Sequence, residues 1–481
     1  MTKVLFVAAE AVPFVKTGGL ADVAGSLPKE LNRSGMDVRV VLPKYKNIPA
    51  RYTAAMDFVG SIIVPVSWRQ KYCGIYRLQH ENITYYFIDN EEYFGRDGLY
   101  GYWDDGERFA FFCRAVLEML PVIEFFPQVL HCHDWHTALV NVFLRTFYKR
   151  LPGYRPIRTL FTIHNLRYQG VFPKTVLTDV LGLGWQHFTV KFLEFYDQVN
   201  YMKGGIVAAD LISTVSETYA REIQYPFFGE QLDGLLRERQ FDLEGIINGI
   251  DYEVYDPGAD PQIFANYDLD TIDKKEENKL QLQELLDLPV KRATPLIAIV
   301  SRLVGPKGLD LIAHVLDELL AYEDLQFVVL GTGEEQYEGL FQYASWKYPA
   351  KLSANIFFDD KLAHQIYAGS DMFLMPSLYE PCGIGQLIAL RYGTVPIVRE
   401  TGGLKDTVRS FNRYTGEGNG FSFSHYNAHD MLYTIRRAVR VYLDKPMWQK
   451  VVKNAMTSDY SWQHSAKQYV GLYQRLEKEE L

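Results

Sequence analysis

Cysteine is scarce in this chain of 481 residues: Cys73, Cys113, Cys132 and Cys382 stand alone, with no paired spacing. That excludes a disulfide framework and a zinc ribbon, and it fits a reducing compartment. Long basic runs are absent and the formal charge is -9. A nucleic-acid backbone is therefore a poor partner, although a bound nucleotide needs only a few placed cations. No stretch approaches the ~20 apolar residues of a membrane span. The opening MTKVLFVAAEAVPF reads as a first strand rather than a signal peptide, because polar, glycine-rich helix sequence follows it. The expectation is a cytoplasmic protein with neither nucleic acid nor membrane as partner. Two familiar phosphate fingerprints are missing as well. The glycines near Lys16 match neither the Walker A spacing nor GxGxxG.

What the chain does hold is apolar sequence, 48% of its residues. At ~150 residues per domain its length suggests two or more domains. An apolar run at 4–8, a helix-period segment at 22–33 and a second apolar run at 38–42 make a βαβ unit, which implies a parallel sheet. Residues 51–90 alternate apolar and polar and predict a strand-rich insertion at a sheet edge. Strands are also expected at 159–163 and 211–215, and residues 246–251 read as another strand end with an Asn-Gly turn. Residues 256–294 are rich in Asp, Pro, Lys and Glu, with a polar helix at 274–286, and mark the domain boundary. Strands resume at 296–300, 327–330, 371–375 and 395–398. A last helix begins at Ser461 and can reach back to the first domain. The expected division is 1–245, 246–460 and a tail helix, 461–481.

The chemistry-bearing residues gather at expected strand ends. Residues 375–407 read MPSLYEPCGIGQLIALRYGTVPIVRETGGLKDT. Glu380 lies in a turn, Gly383 and Gly385 open a helix, and Gly402 and Gly403 follow the next strand. A helix N-terminus carries about half a positive charge and free N–H donors, which suits a diphosphate. Lys16 beside Gly18 and Gly19 suits a phosphate, as do Arg302 and Lys307, which have no nearby acid until Asp310. Residues 93–108, YFGRDGLYGYWDDGER, are expected to form a loop. It either stacks sugar rings on Tyr100, Tyr102 or Trp103 or packs on the surface. His131, His133, Asp134 and His136 admit a metal site or a cleft lining; the second is preferred because no later cluster completes a ligand set. His164-Asn165 ends another strand, and Asn248-Gly249 marks a turn.

Taken in order, Lys16-Thr17-Gly18-Gly19-Leu20, His131-x-His133-Asp134-Trp135-His136, Thr162-Ile163-His164-Asn165, Asn248-Gly249-Ile250-Asp251, Ser301-Arg302-Leu303, Lys307-Gly308, Glu380-Pro381-Cys382-Gly383 and Thr401-Gly402-Gly403-Leu404 form a specific set. The set resembles bacterial glycogen synthase and plant starch synthase over nearly the whole chain. The resemblance implies an α/β protein of the GT-B class, two Rossmann-like domains facing across a deep cleft. It implies a retaining glucosyltransferase that moves glucose from ADP-glucose to the non-reducing end of an α-1,4-glucan, glycogen, with no metal or other cofactor. Catalytic roles are implied for Glu380, Asp134, His164, Arg302 and Lys307. Donor contacts are implied for Lys16, Gly18, Gly19, Asn165, Asn248, Phe358, Cys382, Gly383, Thr401, Gly402 and Gly403, and acceptor contacts are expected of Tyr100, Tyr102 and Trp103.

Two positions depart from the family pattern. Gly385 stands where Thr or Asn is frequent, and Ile388 where Tyr is frequent, so each is expected to remove a side-chain contact to the donor. Competing readings are a metal-dependent hydrolase built on the histidine cluster, a sugar-nucleotide epimerase and a silent glucan-binding protein.

Overall fold

Lys3–Val7 is buried at every position but its first, as a strand covered on both faces must be. In the computed structural model, which describes residues 1–478, this strand lies inside a nine-stranded sheet. The sheet runs Leu243–Gly245, Leu211–Thr214, Arg158–Ile163, Val129–His133, Lys3–Val7, Asp37–Pro43, Ile83–Asp89, Arg69–His80, Asp57–Val66. The first seven are parallel, and the last two add antiparallel at the edge. That edge is the strand-rich insertion expected at 51–90. The helix Gly19–Arg33 buries Leu20, Val23, Leu27 and Leu31, one stripe at helical spacing.

A second sheet has six parallel strands, in the order Leu352–Asn355, Gln326–Leu330, Leu296–Val300, Met372–Met375, Val395–Arg399, Phe421–Phe423. Helices such as Leu309–Tyr322 cover it, burying Leu309, Ile312, Leu316 and Leu319. The chain accordingly forms two α/β units. One comprises 1–215, 220–249 and the helix from Trp462; the other comprises 216–219 and 250–461.

Local details go beyond the expectations. The strand end expected at 246–251 belongs to the short strand Leu243–Gly245, and Ile250 makes an isolated bridge to Ser461. Residues 93–108 are helical at both ends, within Glu91–Phe94 and Asp105–Glu118. Asn90 caps the first of these by accepting the Tyr93 amide. A three-stranded sheet of Val171–Pro173, Gln198–Asn200 and Glu194–Phe195 was not anticipated, since strands of two or three residues show no periodicity. Among the described residues no helix is long and apolar enough to cross a membrane.

The helix Trp462–Lys478 belongs to the first unit, where it packs on Gly19–Arg33 and Arg158–Ile163. Its Tyr473 hydroxyl hydrogen-bonds His131 Nδ1 at 2.7 Å, and His131 Nε2 meets Thr162 Oγ1 at 2.6 Å. Thr162 continues to Ser213 Oγ at 2.6 Å. This chain of fully buried polar groups crosses the sheet and ties the last helix to it. Tyr473→Phe leaves one imidazole nitrogen unpaired in the core. It is expected to lower stability by about 1–3 kcal/mol with unchanged secondary structure, read as a shift in the urea midpoint. An unchanged midpoint would show that the bond contributes nothing net.

Candidate functional site

In the first unit, Lys3–Val7 has Asp37–Pro43 on one side and Val129–His133 on the other. The connections therefore leave in opposite directions, and the ends of the two central strands stay uncovered. Open α/β sheets take ligands at such a point.

The loop after the first of these strands is held by an acid that sequence reasoning missed. Glu10 is buried, and its Oε2 accepts the Thr17 amide at 2.5 Å. Burial raises its pKa in spite of that bond. The signal available was an ionisable group three residues past a continuous apolar strand. Gly18 is the N-cap of the following helix and offers no side-chain cap, so no cap side chain occupies the first-turn amides. Lys16 pairs with Asp22 at 2.7 Å and remains half-exposed.

Asp134 follows the neighbouring strand. Its backbone has φ 56° and ψ 179°, a region that glycine alone enters easily, and such a residue stores about 1–3 kcal/mol of strain. Its Oδ1 accepts the amides of His164 at 2.8 Å and Asn165 at 3.4 Å. Those bonds favour the carboxylate. Burial nonetheless pushes its pKa up to about 7, with the nearby Glu10 charge adding to the effect. His164 Nε2 lies 2.9 Å from His133 Nδ1, and burial holds His164 down to about 3. At neutral pH it is an uncharged imidazole.

The remaining histidines serve different neighbours. His131 is taken by Tyr473 and Thr162, His133 by His164, and the His136 ring stacks on Trp135 at 4.1 Å. Among the described residues no group of three or more His, Cys, Asp or Glu is arranged to hold a metal ion. Asn248 is buried with its Oδ1 unpaired.

The three aromatic candidates do not make one platform. Arg108, fully buried, gathers the loop by bonding the carbonyls of Tyr93 and Leu99 and the Asp105 carboxylate. Tyr102 is clasped between Arg96 and Arg108, and its hydroxyl accepts the Gly98 amide. The Tyr100 ring lies on His136 at 4.5 Å, with its hydroxyl buried and unpaired. Trp103 is 93% exposed.

The second unit has the same divergence. Leu296–Val300 lies between Gln326–Leu330 and Met372–Met375. Beyond two adjacent strand ends, Glu380 Oε2 accepts Lys307 Nζ at 2.6 Å and Ser377 Oγ at 3.1 Å. Glycine makes this possible. Gly308, at φ 74°, lies against the Pro376 carbonyl, which a Cβ would approach to 2.1 Å. The Leu378 amide also bonds Pro306 O at 2.9 Å. The two loops dock, and Lys307 reaches Glu380. Arg302 is exposed and carries no ion pair among the described residues.

Gly402 and Gly403 have a different use from the one expected. The Gly403 amide donates to Glu380 O at 3.2 Å and Pro381 O at 3.1 Å. A Cβ on Gly402 would lie 1.9 Å from Glu380 O, and one on Gly403 2.1 Å from Cys382 O. The pair clamps the Glu380 turn, and the Gly403 amide is directed at that turn rather than left open for a phosphate. Thr401 is buried, Cys382 is buried, and Gly383 takes φ 77°. Phe358 is 87% exposed. Ile388 is a core residue, so its side chain packs among apolar neighbours rather than at the donor end. A Cβ on Gly385 would meet the Phe373 ring at 3.0 Å, so the glycine accommodates that ring.

Residues 3–238 match the model of the starch synthase catalytic domain, and residues 287–456 that of glycosyl transferases group 1. A glycogen synthase of Desulforamulus reducens is 57% identical over 98% of each chain. The chain belongs to the glycogen and starch synthase family. A further family member, the glycogen synthase of Geobacillus stearothermophilus, is 56% identical over 99% of this chain and 98% of its own. The catalytic domain of starch synthase IV from Arabidopsis thaliana, solved with ADP and acarbose bound, has a TM-score of 0.92 at 34% identity and covers 99% of each chain. Sucrose-phosphate synthase from Thermosynechococcus elongatus shares the fold, at 16% identity and a TM-score of 0.62. As a member of the glycogen and starch synthase family, the chain is a retaining glucosyltransferase with the two parallel-sheet units of the GT-B class.

Asp134 carries a pH signature. Its folded pKa is raised, so the fold favours the protonated form. That advantage is whole below about pH 3.9 and is lost as pH rises through about 7. Asp134→Asn is expected to stabilise the protein increasingly from pH 4 to 7, by on the order of 2–4 kcal/mol at the upper end. Glucosyl transfer should fall about 100-fold or more. Urea unfolding at both ends of the range checks it; an equal gain at both pH values would remove ionisation as the cause.

Proposed function

We propose that the chain elongates glycogen, taking glucose from ADP-glucose and adding it to the 4-hydroxyl at the non-reducing end of an α-1,4-glucan. The observation that carries the residue roles is the Lys307–Glu380 pair with Arg302 unpaired nearby in the same unit. Cleavage of the anomeric C–O bond leaves negative charge on the diphosphate and an oxocarbenium-like sugar. Arg302 and Lys307 act where that negative charge develops. Glu380, already neutralised by Lys307, accepts the glucose hydroxyls without opposing the anion.

In the first unit, Asp134, His164 and Asn165 take the transferring glucose, while Lys16 and the amides at Gly18 and Gly19 serve the donor. His164 is neutral at working pH and held by His133. It hydrogen-bonds the sugar rather than removing a proton. The acceptor hydroxyl passes its proton to the departing phosphate oxygen on the same face, which yields retention. A double displacement would need a carboxylate beneath the sugar. Asp134 does not fit that part, because two backbone amides already bind its Oδ1. No metal enters this scheme; the two cations supply the positive charge. Phe358, with its exposed ring, suits stacking on the base, and Trp103 suits the acceptor. The cytoplasm is the compartment that four cysteines outside any disulfide favour.

Nucleotide release is the test, from ADP-glucose and from UDP-glucose, with and without glycogen, in excess chelator. ADP release that needs glycogen and survives chelation is expected, with matching growth of α-1,4 chains. Arg302→Ala and Lys307→Ala should each lose roughly 10²–10³ in rate. Release without glucan, or its loss in chelator, would overturn the proposal.

A further inference from the structure

The turn that carries Glu380 is held from beneath by Gln386, which is fully buried on the helix Gly385–Arg391. Gln386 Nε2 donates to Cys382 O at 3.0 Å, to Gly383 O at 3.0 Å and to Thr407 Oγ1 at 3.3 Å. Thr407 Oγ1 in turn donates to Gly403 O at 2.6 Å, and the Gly403 amide is bonded to the carbonyls of Glu380 and Pro381. Gln386 thereby closes from below the clamp that Gly402 and Gly403 make from the side. The arrangement is costly. Gln386 Oε1 is buried with no hydrogen-bond partner among the described residues, and it lies so close to Gly383 that a Cβ there would come within 2.3 Å of it. An apolar side chain of the same size would avoid an unpaired buried acceptor. It could not draw two carbonyls inward.

Those carbonyls fix the direction of two amides. A trans peptide is planar, with its C=O and N–H pointing opposite ways, and both peptides here are trans. Holding Cys382 O and Gly383 O inward therefore turns the N–H groups of Gly383 and Ile384 outward. The backbone has the matching form: Gly383 is left-handed at φ 77°, and Ile384 follows at φ -113°, ψ -35°. A turn of this kind aims successive N–H groups into one concavity. Neither amide has an acceptor among the described residues, and both residues are half-buried.

We propose that Gln386 is a positioning residue for glucosyl transfer, holding the Gly383 and Ile384 amides toward the diphosphate. The proposal rests on the reading of Cys382 and Gly383 as contacts of the glucosyl donor. Gln386 itself touches no substrate; it acts through the two peptides whose carbonyls it binds. Charge gathers on the diphosphate as the anomeric C–O bond breaks, and amides fixed in advance stabilise it without reorganising. The same amides hold ADP once transfer is complete.

Gln386→Met keeps the length of the side chain and removes the donor. Gln386→Glu keeps the shape and replaces the donor with a carboxylate that repels both carbonyls. Isothermal titration of the full chain with ADP at pH 8, with steady-state kinetics in ADP-glucose and glycogen, tests the role; a urea midpoint confirms that each variant is folded. Gln386→Met is expected to weaken ADP binding about ten-fold or more and to lower kcat by a similar factor, with the KM for glycogen unchanged. Gln386→Glu, the closer match in shape, should lose more than Gln386→Met. A side chain that only fills space would give the opposite order. ADP affinity in Gln386→Met equal to that of the unaltered chain, the reverse order of the two variants, or an equal loss of affinity for glycogen would each overturn this role alone. Failure of the unaltered chain to bind ADP would overturn the donor reading and this role with it.

Discussion

In each sheet the chain turns away from a central strand in opposite directions, and this divergence governs where chemistry can occur. Helices cover the faces of a parallel sheet but not the strand ends at which their paths separate. In the first unit that place receives the Glu10–Gly19 loop and Asp134. In the second it receives Lys307 and Glu380. Neither pair of segments is adjacent in sequence. Parallel pairing of one strand with two neighbours brings each pair together.

Charge is handled differently in these places. Lys307 and Glu380 neutralise one another in a part-buried ion pair. Asp134 is half-buried, its Oδ1 held by two amides, and set on a backbone conformation few residues adopt. Strain of this kind persists where surrounding structure over-determines it. The buried run from Tyr473 through His131, Thr162 and Ser213 supplies such rigidity three residues before Asp134.

Much of this was legible in the residues. Continuous apolar runs marked the central strands, because strands buried on both faces leave no alternation to misread. Glycine pairs and isolated cations located the loops that matter. Their detailed use was not legible. Gly402 and Gly403 look like phosphate donors in a string of letters, yet they serve a backbone clamp that only the approach of Glu380 O reveals. Ile388 looked like a lost ligand contact and is core. The aromatic loop divides in a way no pattern foretells: Arg108 draws Tyr102 inward while Trp103 stays exposed. Glu10 was passed over because one acid near a strand end has no pattern to distinguish it.

The placement of Trp462–Lys478 bears on how the molecule is made. This helix leaves the ribosome after residues 250–461, yet Tyr473 completes a hydrogen bond inside the sheet that holds Lys3–Val7. Domains fold as units during synthesis, the N-terminal one ordinarily first. Here the first unit waits for Trp462–Lys478, while residues 250–461 have emerged in full and can settle earlier. Until Trp462–Lys478 emerges, the Gly19–Arg33 helix lacks its covering partner. A stop codon ahead of Trp462 would therefore damage the first unit rather than the second.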